Sequence, residues 1–191
     1  MTTTPLPYTR IPAPAEWTDT RTALDMTHEQ QLHGSAHHEA GHAVAYAHHG
    51  LTIGPITFHG HGPQGPGRAS LHLPQSSGPW EGYAIGAAAG HRAEIEWMRR
   101  TGLLTPTREW AAEMHSDGDR VAADEVIRQC FGTPLTFGQS LEPSDWTWLC
   151  ARADEIVVTQ WEQVARVASV LVDAWSSGQL SVAPEALGVQ R

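Results

Sequence analysis

The stretch Ser35–Gly50 reads S-A-H-H-E-A-G-H-A-V-A-Y-A-H-H-G. Within it His38, Glu39 and His42 form H-E-x-x-H. On a helix, residues at i and i+4 lie one turn apart on one face. Two imidazoles so placed share one tetrahedral Zn²⁺, and the intervening Glu reaches the metal's water. The alanines at 36, 40, 43, 45 and 47 favour a helix, with Ser35 as its N-cap and Gly50 as its stop. Gly41 costs such a helix about 1 kcal/mol relative to Ala. Close approach of another element would explain it.

The competing explanation is composition. The chain holds 12 His in 191 residues. At that frequency the motif arises by chance in about a few per cent of chains this long. His37, His48 and His49 fit a solvated His-rich face. His38, Glu39 and His42 are read as a metal site because the rest of the chain agrees with one.

A length of 191 residues suits one domain with a real core. The net charge of −9 argues against nucleic acid and anionic membrane as partners, since both select a basic face. No apolar run reaches the length of a membrane span, and the first residues lack a signal peptide's pattern. The expectation is a cytoplasmic protein. Two cysteines, Cys130 and Cys150, fit reduced thiols and rule out a four-cysteine zinc site by count. Any zinc must be held by His and carboxylate.

Outward from the motif, residues 1–20 are rich in Thr and Pro and read as an extended arm. Residues 21–191 read as one domain. Thr22–Gln31 suggests a short helix ending at Gly34. Leu51–Phe58 reads as a strand interrupted at Gly54–Pro55. His59–Gly67 is a Gly/Pro loop in which His59 and His61 are candidate auxiliary ligands. Arg68–Pro74 alternates as a half-buried strand suited to pairing with an extended substrate.

Pro79–Arg100 is a second helix whose small face (Gly86, Ala87, Gly90) suits tight packing on the motif helix. It carries Glu94, an alternative third ligand, with an ion pair to Arg92 or Arg99 as the plainer role. Gly102–Trp110 reads as a connector. Met114–Cys130 carries a helix capped by Ser116 or Asp117, with Asp119 in its first turn; acids at this end suit the dipole. Phe131–Ser140 is a loop. Pro143–Gly178 is a long helical region capped by Ser144, with Ile156, Val164, Val167 and Leu171 at core spacing. The rest is a loop and a short turn.

These pieces, in this order, resemble the peptidase domain of FtsH-type metalloproteases. H-E-A-G-H-A-V-A at His38–Ala45 is similar to the family's signature helix. A-A-A-G-H-R-A-E-I at Ala87–Ile95 is similar to its Gly-Gly-Arg-x-Ala-Glu helix. D-G-D-R-V-A-A-D-E-V-I-R at Asp117–Arg128 is similar to the segment bearing an aspartate ligand. The likeness covers residues 35–179. It implies a mainly α fold with a small β-sheet (α+β), of the zincin-like kind. It places the third zinc ligand on Asp119 beside His38 and His42, with Glu39 as general base. Gly118 stands where the family usually has Asn. The family's membrane anchor and ATPase module have no counterpart in these residues.

The resulting expectation is an ATP-independent zinc endopeptidase acting on a protein or peptide, with no nucleic-acid or membrane partner. Assembly with further copies of the chain stays open. A partner-binding module on the same fold and a zinc amidohydrolase of small molecules are the alternatives.

Overall fold

The computed structural model describes residues 23–62, 65–71, 78–138 and 142–189, with the side chains of 60–68 left aside. The Thr/Pro-rich arm lies outside the described residues. The described chain is mainly helical with one small antiparallel sheet, an α+β arrangement.

The motif helix, α1, runs His28–His48. It starts a turn and more before Ser35. Thr27 and Gln30 close a capping box: Gln30 N donates to Thr27 Oγ1 at 3.2 Å and Thr27 N to Gln30 Oε1 at 3.0 Å. Gly34, expected as a break, sits inside the helix. A Cβ there would come 3.1 Å from Glu94 Oε1. Packing, not chain reversal, accounts for that glycine. The far end stops as expected, with Gly50 at φ +73°.

Two strands follow, β1 (Ile56–Gly62) and β2 (Gly65–Leu71). Ile56 pairs with Leu71, Phe58 with Ala69, and Gly62 with Gly65. The Gly/Pro stretch expected as a loop is therefore mostly the far end of a hairpin. Pro66 is tolerated because β2 is an edge strand and need not donate outward. The strand expected from Leu51 begins only at Ile56, after Pro55. Residues 72–74 of the expected second strand lie outside the described residues. A short β3 (Ser181–Val182) flanks β1 on its other side.

Helix α2 is Trp80–Arg100, within a residue of expectation. Its small face meets that of α1. A Cβ on Gly41 would lie 2.6 Å from Ala93 Cβ, so the two backbones approach as closely as the sequence allows. The stretch expected as a connector instead carries α3, Pro106–His115. Pro106 sits in the first turn, where its missing N–H costs nothing, and Thr105 caps Arg108 N at 3.2 Å. Helix α4 is Asp117–Phe131, closed by Gly132 at φ +69°.

The long helical region divides into α5 (Trp146–Thr159) and α6 (Trp161–Ser176), with Gln160 between them. Helix α5 packs on α2 and α6 packs on α1. One straight helix cannot lie along both. Asp145, not Ser144, caps α5 through Thr147 N at 2.8 Å. The tail adds β3 and a last turn, α7 (Pro184–Leu187).

The main core joins α1, α2, the sheet, α5 and α6, with Phe58 stacked on Trp175 at 4.7 Å. A second cluster gathers Leu24, Met26, Met98 and Trp110 near the start of α1. Both cysteines are free. Among the described residues no helix is long and apolar enough to cross a membrane.

Candidate metal centre

Helix α1 carries His38 and His42, and the first turn of α4 brings Asp119 against both. His38 Nε2 lies 3.1 Å from Asp119 Oδ2, and His42 Nε2 lies 3.4 Å from Asp119 Oδ1. The imidazoles stand edge to face with centroids 4.7 Å apart. Two donors about 2.1 Å from one tetrahedral zinc stand about 3.4 Å apart. The three side chains thus hold nitrogen and oxygen donors near the separations such an ion requires.

Each imidazole is fixed from behind. His42 Nδ1 donates to the Gly86 carbonyl at 2.8 Å, which turns Nε2 towards Asp119. His38 Nδ1 lies 3.6 Å from Glu94 Oε2. Glu94 is therefore a buried support for His38, not one of the three converging donors. Its expected cationic partners are engaged elsewhere: Arg92 pairs with Asp154, and Arg99 and Arg100 pair with Glu96. Asp117 lines the same cavity but pairs with Arg120 and is not among the three converging donors.

Gly90 forms the floor. A Cβ there would stand 2.6 Å from His42 Cε1 and 2.7 Å from His38 Nε2. Any side chain at position 90 would displace the imidazoles.

The charges follow from this crowding. Burial opposes the His38 imidazolium, but the Asp119 and Glu94 carboxylates outweigh it and hold its pKa well above the ordinary value. Burial opposes His42 likewise, and Asp119 again outweighs it. Burial alone would raise Asp119. The two imidazoles reverse that and hold it below the usual carboxylate range. Asp119 is an anion that two nitrogens compete to satisfy, and a cation between them would replace the proton.

Glu39 is 8% exposed and faces the same cavity, a space of about 720 Å³ walled by His38, His42 and Asp119. Tyr46 stacks on His42 with centroids 6.0 Å apart and lines the cavity. Ala69, Ser70 and Leu71 of the edge strand β2 also line the cavity.

Other histidines divide differently from expectation. His37, expected on a solvated face, is 7% exposed and stacked between Trp97 and Trp161 at 5.4 and 5.6 Å. Its Nδ1 lies 2.7 Å from the His33 carbonyl, and burial pushes its pKa down to about 4. His59 is exposed and bonds Ser70 Oγ at 2.8 Å, outside the donor cluster. The His61 side chain lies outside the described residues.

A second group, His91, Glu113 and Cys150, also brings donor atoms within 4.8 Å of one another. The sequence reading assigned these residues no role. They sit on three separate helices, and no local spacing announces them.

No protein-family model matches the chain, and no curated protein matches it.

Proposed function

We propose that the chain is a zinc metallopeptidase of the zincin-like kind, hydrolysing peptide bonds without ATP. His38, His42 and Asp119 would hold the ion. The observation that carries the reading is the convergence of one carboxylate and two imidazole nitrogens, 3.1 and 3.4 Å from its oxygens, on the wall of a cavity that also holds Glu39. Bound there, zinc supplies Lewis acidity, bringing a water's pKa towards about 7 and polarising a carbonyl.

Glu39 is the general base. It takes a proton from the attacking water and returns it to the leaving amine. Its place one residue from His38 ties its position to the donors' own helix. The Gly86 carbonyl and Glu94 hold the imidazoles in register, so little reorganises during the reaction. The outer edge of β2 offers backbone donors and acceptors to a substrate lying extended along the cavity. An extended backbone is a peptide's feature, and it favours a flexible protein segment over a compact small molecule. The resemblance to FtsH-type peptidases supports the same reading.

The test is hydrolysis of an unfolded protein substrate, with a chelator control. Glu39→Gln should lose turnover by at least about 100-fold, the scale of a lost general base, while keeping its zinc. A wild-type chain that holds zinc and cleaves no unfolded protein would overturn the proposal in favour of a binding module.

A further inference from the structure

His91, Glu113 and Cys150 project from α2, α3 and α5 into one point of the interior, and each is 0% exposed. Cys150 Sγ lies 3.6 Å from His91 Nε2. Sulfur and nitrogen donors at about 2.3 and 2.1 Å from one tetrahedral zinc are separated by about 3.6 Å. The carboxylate of Glu113 completes a set in which every donor atom is within 4.8 Å of the others. Trp146 stacks on His91 at 5.4 Å and closes that side.

We infer that these three side chains form a second, structural metal site for Zn²⁺ or a similar borderline-soft cation, independent of the His38 site. Thiolate, imidazole and carboxylate are each ordinary zinc donors, and the fourth position falls to a small ligand such as water. On binding, the Cys150 thiol gives up its proton to solvent and sulfur takes the metal in its place. His91 enters as the neutral imidazole.

The surroundings suit a ligand here. His91 is a wholly buried imidazole whose Nε2 faces the Cys150 sulfur. The contact at its Nε2 is a thiol, a weak donor and a weak acceptor. A coordinate bond from Nε2 supplies what that thiol does not. Charge also balances. Zn²⁺ entering as the Cys150 proton leaves adds one positive charge, which offsets the Glu113 carboxylate, so one dication, one thiolate and one carboxylate make a neutral set.

Cobalt separates the two sites, because only this one contains sulfur. The full chain would carry Cys130→Ser, which removes the exposed second thiol. It would be refolded with Co²⁺ under reducing conditions, with folding checked by circular dichroism. A near-ultraviolet sulfur-to-cobalt charge-transfer band should grow to one equivalent. The band should vanish in Cys150→Ser, and Glu113→Gln should weaken cobalt binding by at least tenfold. It should persist when His38 and Asp119 are both replaced by Ala, even though total metal falls. A folded chain with intact Cys150 that gives no band at saturating Co²⁺ overturns the inference, whatever the fate of the His38 site. A band that survives Cys150→Ser overturns it too.

Discussion

Gly90 lies directly beneath His42: a Cβ at position 90 would stand 2.6 Å from His42 Cε1. The donor pair on α1 thus depends on the absence of one methyl group on α2. Gly90→Ala gains about 1 kcal/mol of helix propensity and meets an overpacking cost of about 1–3 kcal/mol. The larger effect falls on the site. We expect zinc affinity to drop at least about 10-fold with the helical spectrum intact, measured by titration against a competing chelator. Unchanged affinity would show that the imidazoles sit elsewhere.

Glu94 and Asp119 make opposite predictions. Asp119→Ala removes a donor and should abolish stoichiometric zinc in elemental analysis. Glu94→Ala removes only the support behind His38 Nδ1 and should weaken zinc by about 10–100-fold. If Glu94→Ala empties the site while Asp119→Ala leaves it filled, the third ligand has been assigned to the wrong carboxylate.

His37 gives the fold a titration of its own. Its pKa lies at about 4 when folded, against 6.5 for an unperturbed imidazole. Between those values the unfolded chain takes up a proton that the folded chain refuses, so protons favour unfolding. The stability is fully present above pH 6.5 and is lost as the pH falls to about 4. A shift of this size corresponds to about 3 kcal/mol. His37→Phe keeps an aromatic ring between Trp97 and Trp161 but cannot titrate. In urea unfolding, wild type should lose about 3 kcal/mol more than the variant across that interval. Parallel losses would refute the assignment.

The part of the site that a single helix encodes was legible from the sequence. His38, Glu39 and His42 are related by helical spacing alone, and the structure keeps them on α1. Asp119 came from resemblance, and it meets both imidazoles. His37 was misread because the rings that bury it, Trp97 and Trp161, arrive from α2 and α6. Glu94 was assigned to arginines on its own helix because the partner it meets, His38, is on another.

Boundaries failed where two local signals competed. The Thr27-x-x-Gln30 capping box outranked Ser35, and Gly34 was a packing glycine rather than a break. Thr105-Pro106 is a helix start inside a stretch that reads as a connector. The Gly/Pro stretch after Phe58 lacks strand propensity, yet the pairing of β1 with β2 carries the ladder through to Gly62 and Gly65. Propensity is a local quantity and yields to pairing that closes a hairpin.

Helix α1 is enclosed along its middle by α2, α6 and β2, and Ala40, Gly41, Ala43 and Ala45 have no Cβ facing water. Its amides there have no route to deuterium short of whole-domain opening, so they should rank among the slowest to exchange. Two of the proposed metal donors, His38 and His42, ride on that helix. Their framework is built by helix packing alone, so an ion bound there would spend little of its binding energy on ordering the chain.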